Sequence, residues 1–110
     1  MTNLISKAEF IKEYKDLKAY KERKGNSLLS IPTAYDFQQY EILCQKIDIL
    51  AGLESVDEDR FSKAIEFTAD YLAEKYCECE YEGSRQTATR ESIILLTGQT
   101  PLKYLLSKNK

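Results

Sequence analysis

Between positions 55 and 83, the residues suited to a protein interior recur at steps of three and four, the spacing of one face of an α-helix. The residues on this face are Phe61, Ala64, Ile65, Thr68, Tyr71, Leu72, Tyr76 and Cys79. Ser55 and Glu58 have the spacing of a capping box, in which each side chain accepts from the backbone N–H of the other. Gly83 is the type of residue that commonly follows a helix end. The pattern predicts one long helix over residues 56–82.

Four further helices are predicted over residues 7–24, 34–51, 88–97 and 101–107. The residues that mark their starts and stops are the capping pairs Ser6–Glu9 and Thr33–Asp36, the Thr100–Pro101 start, and the stops Gly25, Gly52 and Gly98. We therefore expect an all-α fold over residues 1–110, a single-domain irregular bundle of four to five helices organised on the long central helix.

Apolar residues outside the long helix are expected to face it. On the first two helices these residues are Phe10, Ile11, Tyr14, Leu17, Phe37, Tyr40, Leu43, Cys44, Ile47, Leu50 and Ala51. In the connection at 25–33 and in the last helix they are Leu28, Leu29, Ile31, Leu102, Leu105 and Leu106. The helix at 88–97 is apolar nearly all round, so it is either a central helix or the seam of a homodimer.

The composition is that of a soluble globular chain, with 43% hydrophobic and 31% charged residues. No apolar run approaches the roughly 18 residues that span a bilayer, and residues 1–6 show no secretory signal pattern. Three cysteines without such a signal favour free thiols. We expect a cytoplasmic protein with no membrane partner.

Charge is unevenly distributed along the chain, although the net charge is only −2. Residues 1–27 carry seven Lys and Arg against four Asp and Glu, residues 28–82 carry four against thirteen, and residues 83–110 carry five against one. An acidic middle and two basic ends can pair with each other inside a bundle, or they can present separate surfaces of opposite sign.

An acidic ridge is predicted on the long helix, because Glu66, Asp70, Glu74 and Glu78 follow one another at i, i+4. Phe67 and Tyr81 lie beside it. One interpretation is a solvated face with Phe67 covered by a neighbouring helix. The other is a surface for a basic protein partner, and its residues are Phe67, Asp70, Glu74 and Tyr81.

A second candidate surface is the basic end of the first helix, which carries Lys18, Lys21 and Lys24 next to Tyr20. The apolar stripe of that helix stops before these residues, so we expect its last turns to project beyond the core. Basic residues are favoured at any helix C-terminus. The alternative is a tip that contacts phosphates or an acidic partner.

Residues with catalytic or metal-binding chemistry are scarce. The chain has no histidine, which removes the usual general base at neutral pH and the imidazole ligand of metal sites. Cys77 and Cys79 point about 200° apart on a helix, so they do not share a metal, and Cys44 is the only other thiol. We expect no enzymatic activity, no cofactor and no metal.

The segment T-G-Q-T-P-L-K-Y at residues 97–104 resembles the T-G-x-T-P-x-x-Y stretch near the end of AraC-type transcription regulators. The resemblance covers eight residues, and Leu105 replaces the arginine that usually follows. It implies a helix-turn-helix with one helix in the major groove of DNA and a basic surface toward the phosphates. Arg85, Arg90 and Lys103 are the contacts that it implies.

Taken together, these features predict a small non-catalytic interaction protein that binds and blocks a protein partner. Inhibitors, immunity proteins and phage-encoded antagonists of host machinery are proteins of this kind. Eight tyrosines without a tryptophan suit such a role, since a tyrosine ring is apolar at one end and forms hydrogen bonds at the other. The alternative function is a DNA-binding regulator that uses the basic helices at 88–107.

Overall fold

The computed structural model describes residues 4–78 and 83–108 of the chain. The helices are α1 (Lys7–Ser27), α2 (Ala34–Leu50), α3 (Glu58–Glu78), α4 (Ser84–Thr97) and α5 (Pro101–Lys108), with one turn of 3-10 helix, Ala51–Leu53, after α2. All regular secondary structure in these two ranges is helical, which confirms the predicted all-α bundle.

The fourth helix packs extensively against both α2 and α3, whereas α1 lies on α2 and α5 lies against α3 and α4. Close packing is possible because α4 buries small side chains, among them Ala88, Thr89 and Ser92. The hydroxyls of Thr89 and Ser92 each donate to the backbone carbonyl one turn earlier, at 2.8 Å. Their donors are therefore satisfied inside the protein, and burying them leaves no unpaired polar group.

One hydrophobic core joins all five helices. The Phe10 ring stacks on Tyr14 and meets Phe61, with ring centroids 5.6 Å apart in both pairs. The core residues are Phe10, Tyr14, Leu43, Ile47, Leu50, Leu53, Phe61, Ile65, Ala69, Leu72, Ala73, Ile93, Leu96 and Tyr104. Most of them were expected from the helical spacing.

Two of the three predicted capping boxes mark helix starts. The Ser6 hydroxyl accepts from the Glu9 N–H at 3.2 Å, and Thr33 and Asp36 form the complete reciprocal box. The prediction for Ser55 is wrong, because α3 begins at Glu58. The chain around Ser55 is still turning out of the 3-10 helix, where the Val56 N–H donates to the Leu53 carbonyl at 3.4 Å.

Of the four predicted glycine stops, Gly98 is confirmed and three are wrong. Gly83 has extended backbone, with φ −147°, and is the N-cap residue of α4 instead of a left-handed stop. Gly98 is left-handed, with φ 70°, and its N–H donates to the Ile94 carbonyl at 2.8 Å. Gly25 lies inside α1 and faces Tyr40 of α2, and a Cβ at this position would be in ordinary van der Waals contact with the Tyr40 hydroxyl oxygen, at 3.4 Å. Gly52 lies in the 3-10 turn without a positive φ, so no left-handed cap forms there.

Helix bounds also differ from the prediction. The first helix extends to Ser27, and the fourth begins at Ser84, one turn earlier than expected. The third ends at Glu78 within the described residues, and the predicted positions 79–82 lie outside them.

Several residues expected in the core are exposed. Leu29 and Ile31 are 87% and 99% exposed. They lie in the connection between α1 and α2, which forms hydrogen bonds with the end of α1 instead of folding back onto the core. On α5 the fully buried residues are Pro101 and Tyr104, and of its three leucines Leu105 packs against the core as predicted. The other expected core residues that are exposed are Phe37, Ala51, Tyr71, Leu102 and Leu106.

Candidate protein-binding surface

An acidic aromatic surface, formed by Phe67, Asp70, Tyr71 and Glu74, lies on the outer face of α3. Phe67 is 74% exposed and Tyr71 is 51% exposed, and the helical spacing places Glu74 beside both rings. The interpretation in which a neighbouring helix covers Phe67 is therefore wrong. The structure brings three of the four predicted surface residues together here, whereas Tyr81 lies outside the described residues.

The N-terminal half of the acidic ridge serves the fold. The Tyr104 hydroxyl donates to the Asp70 carboxylate at 2.6 Å, and the Lys108 ammonium lies 2.5 Å from Glu66 and 3.7 Å from Asp70. Burial, and then the hydrogen bond to Asp70, raise the pKa of the Tyr104 hydroxyl above its ordinary value. The hydrogen bond to Glu66 likewise raises the pKa of Lys108. These contacts offset the like-charge repulsion along the ridge and fasten α5 to α3.

The C-terminal half of the ridge carries charge that the fold uses less. Glu78 pairs with Lys75 at 3.1 Å, and both side chains are exposed. Glu74 forms no ion pair with another residue of the described part of the chain. A carboxylate of this kind, next to two exposed aromatic rings, is a chemically suitable contact for a basic and partly apolar surface.

Two lysines at the basic end of α1 make contacts within the protein that the sequence did not indicate. Lys18 pairs with Glu54 at 3.1 Å and its ammonium lies 4.5 Å from the centre of the Tyr14 ring. Lys24 approaches the Tyr20 ring at 5.7 Å. The last turns lie against α2, with Gly25 facing Tyr40, but no residue from 18 to 27 belongs to the hydrophobic core.

The three cations of the predicted DNA-binding unit are all exposed, but two of them point in different directions. Arg85 lines one cleft with Asp48 and another with Glu78, so it faces acidic side chains of α2 and α3. Arg90 follows five residues later on α4, which places it about 140° away around the helix axis. Lys103 is exposed on α5.

A second exposed patch was not anticipated from the sequence. The apolar tip, formed by Leu29, Ile31, Tyr35 and Phe37, lies where α1 leads into α2, and its side chains are between 55% and 99% exposed. A signal was present, since three aliphatic residues crowd into the short segment at 28–31, more than a tight connection readily buries.

No protein family, curated protein or solved structure matches the chain.

Neither a metal site nor a membrane-spanning helix occurs in the described ranges. No group of three or more His, Cys, Asp or Glu residues there is arranged to hold a metal ion. None of the helices described is both long and apolar enough to cross a bilayer. Cys44 is half-buried and Cys77 is exposed, both as free thiols, while Cys79 lies outside the described residues.

Proposed function

We propose that this protein is a non-catalytic binding protein that blocks a basic protein partner by occupying its surface with the acidic aromatic surface of α3. The observation that carries the proposal is the 74% exposure of Phe67 beside the Glu74 carboxylate. A phenylalanine ring gains free energy when it leaves water, about 1.5–3 kcal/mol when it is fully buried. An exposed Phe on a packed helix is therefore a ready anchor for a complex.

The charge around this anchor supports the choice of a basic partner. Asp70, Glu74 and Glu78 flank the two rings along one side of α3 and outnumber the two cations nearest in sequence, Lys63 and Lys75. Charge of one sign on a surface raises the rate of encounter with a partner of the opposite sign and disfavours partners of the same sign.

The test is capture of the partner by the tagged protein from extracts of its own cells, with and without nuclease. We expect one stoichiometric basic protein that survives nuclease treatment. Phe67→Ala and Glu74→Lys should each reduce its recovery at least about tenfold, because central anchors of an interface typically contribute 2 kcal/mol or more. Asp70 is unsuitable for this test, since its carboxylate also holds Tyr104.

Two controls test whether the loss of the partner is specific to this surface. Glu13→Lys reverses an exposed charge on α1, and Leu102→Ala removes an exposed apolar side chain from α5. Both should leave recovery of the partner unchanged. Equal recovery with the Phe67 and Glu74 variants would refute the proposed surface.

DNA binding is the second candidate function, and the short turn between α4 and α5 favours it. A three-residue turn, Gly98 to Thr100, connects the two helices, as in helix-turn-helix units. The exposed face of α5, however, carries Leu102 and Leu106 at 63% and 67% exposure, which supplies few hydrogen bonds to base edges. If DNA binds here, replacing Arg90 and Lys103 with Ala should flatten the dependence of affinity on salt, by about 0.9 in the log–log slope for each phosphate that the variant no longer neutralises.

A further inference from the structure

The apolar tip concentrates exposed hydrophobic surface at one end of the molecule. Leu29 and Ile31 are 87% and 99% exposed in the connection, and Tyr35 and Phe37 are 67% and 55% exposed on the first turn of α2. Single exposed apolar side chains are ordinary on soluble proteins, but four of them between positions 29 and 37 concentrate apolar surface in the way that marks sites for proteins or membranes. Tyr35 and Phe37 point about 200° apart around α2, so they lie on opposite sides of the helix end.

The tip is the convex end of a helical hairpin. The hydroxyl of Tyr14 lies 3.5 Å from the Ile47 carbonyl, and Gly25 lies against Tyr40, so α1 and α2 run antiparallel away from the connection. Local hydrogen bonds order the start of the connection, where the Leu29 N–H donates to the Asn26 carbonyl at 3.2 Å and the Ser30 N–H donates to the Ser27 carbonyl at 3.3 Å. The leucine and isoleucine are thus presented on a turn with its own hydrogen bonds.

Three cations lie close to the tip, in the last turns of α1. Lys24 and Lys21 precede the end of the helix at Ser27 by three and six residues, which corresponds to about 4.5 and 9 Å along the axis. Arg23 lies between them and approaches the Tyr20 ring at 5.9 Å. The acidic groups at this end are Glu22 and Asp36, and the Asp36 carboxylate accepts hydrogen bonds from Thr33.

We propose that the apolar tip inserts into the surface of an anionic lipid bilayer. Leu29 and Ile31 enter the acyl chains, Tyr35 and Phe37 lie at the level of the headgroups, and the cations at the end of α1 contact the lipid phosphates. The order aliphatic, aromatic, cationic with distance from the tip matches the order of environments in a bilayer surface, where peripheral elements reach about 5–10 Å deep.

The chemistry of the tip favours a lipid surface over a protein cleft. Aliphatic leucine is under-represented among the residues that anchor protein complexes, whereas tryptophan, tyrosine and arginine are enriched. A convex knob also needs a pocket of matching shape on a protein, but a fluid bilayer accepts it without one. The expectation of no membrane partner rested on the lack of an apolar run long enough to span a bilayer, and the insertion of two side chains needs no such run.

Vesicle flotation tests the proposal directly, with vesicles of phosphatidylcholine alone and vesicles of equal parts phosphatidylcholine and phosphatidylglycerol. The wild-type protein should float with the anionic vesicles and should not float with the neutral ones. Leu29→Ser with Ile31→Ser should weaken binding about a hundredfold, because each side chain loses its transfer from water to acyl chains. Lys21→Gln with Lys24→Gln should weaken it about tenfold or more, since each basic residue near an anionic surface contributes about 1 kcal/mol.

The controls use exposed residues of the same types elsewhere on the protein. Leu102→Ser with Leu106→Ser removes two exposed leucines from α5, and Lys12→Gln with Lys63→Gln removes two exposed lysines. Both double variants should float like the wild type. Because the chain lacks tryptophan, Ile31→Trp adds a single reporter, whose emission should shift to shorter wavelength with anionic vesicles and be quenched by brominated acyl chains.

Three outcomes would overturn the proposal. The first is no flotation of the wild type with anionic vesicles. The second is flotation that survives the loss of both aliphatic side chains, since this means adsorption by charge alone. The third is a concentration-dependent dimer without lipid that the Leu29 and Ile31 changes abolish while vesicle binding is absent, since the tip would then be a contact between two copies of the chain.

Discussion

The hydrogen bond between Tyr104 and Asp70 makes α5 an integral part of the fold, and Tyr104→Phe tests its strength. Tyr104 is 1% exposed, and its hydroxyl donates to the Asp70 carboxylate at 2.6 Å. The substitution removes one oxygen atom and leaves the ring packing in place. The carboxylate of Asp70 then loses its buried donor but keeps Lys108 3.7 Å away.

The expected cost follows from the exposure of the acceptor. A hydrogen bond to a charged group contributes about 1.5–3 kcal/mol when the charged group is left without a replacement partner. The Asp70 side chain is 48% exposed, so water can replace the lost hydroxyl in part. We therefore expect Tyr104→Phe to lower the free energy of unfolding by about 1 kcal/mol, which moves a urea midpoint by roughly 0.5 M for a chain of this size.

The pH dependence gives an independent check. Because folding raises the pKa of Tyr104, the folded protein holds this proton more tightly than the unfolded chain. The stabilisation is fully present below the ordinary tyrosine pKa of about 10 and is lost as pH rises from there toward the higher pKa of the folded state. The stability difference between wild type and Tyr104→Phe should therefore be constant near neutral pH and shrink in alkaline solution.

Urea unfolding followed by circular dichroism measures both effects, and Tyr71→Phe is the matched control. Tyr71 is 51% exposed, and removal of its hydroxyl should leave the urea midpoint unchanged. Equal stability of wild type and Tyr104→Phe at neutral pH would refute the argument that this hydrogen bond fastens α5. A stability difference between the two proteins that stays constant through alkaline pH would show that folding does not raise the pKa of Tyr104.

Two further predictions concern local backbone chemistry. Gly98→Ala should destabilise the protein by about 1–2 kcal/mol, because a Cβ is strained in the left-handed conformation at φ 70°. Gly52→Ala should not destabilise it, because φ at Gly52 is not positive and no atom lies within 4 Å of the new Cβ. Thermal or urea unfolding of the two variants checks this contrast. Hydrogen bonds from the Thr33 backbone N–H and hydroxyl lower the pKa of Asp36, so its stabilisation of α2 is present above the ordinary carboxyl pKa and is lost as pH falls through the lowered one. Asp36→Ala should be less stable than wild type at neutral pH, and a gap that failed to close in acid would contradict this account.

The parts of the fold that the sequence predicted are those decided by neighbouring residues. Thr33 and Asp36 satisfy each other's donors within one turn, and Gly98 ends α4 through its own dihedral angle. Spacing alone also indicated that Phe10, Ile47 and Ile65 would be buried. Each of these features depends on residues a few positions apart, so a single sequence contains the necessary information.

The parts that were wrong depend on contacts between distant residues. Gly25 resembles a helix stop, but α1 continues past it to Ser27, where the chain lies against Tyr40 of α2. The sequence alone does not determine whether Leu102 or Tyr104 faces the core. Tyr104 does so because its hydroxyl reaches Asp70, 34 positions earlier, and this contact exists only when α5 packs on α3. For the candidate surface, the spacing predicted that Phe67 lies beside the ridge, but only packing determines which half of that ridge α5 occupies.

The distribution of charge now has a more specific meaning than the sequence allowed. Internal pairing accounts for part of it, since Lys18 reaches Glu54 and Lys108 reaches Glu66. Outside these pairs, the acidic residue Glu74 lies beside exposed Phe67, and the basic end of α1 leads directly into the exposed apolar tip. Charge that served only solubility would not be expected to cluster beside exposed apolar side chains. The coincidence of the two at opposite signs favours two separate binding surfaces, so Glu74→Lys should impair partner capture without affecting vesicle flotation, and the Leu29 and Ile31 changes should do the reverse.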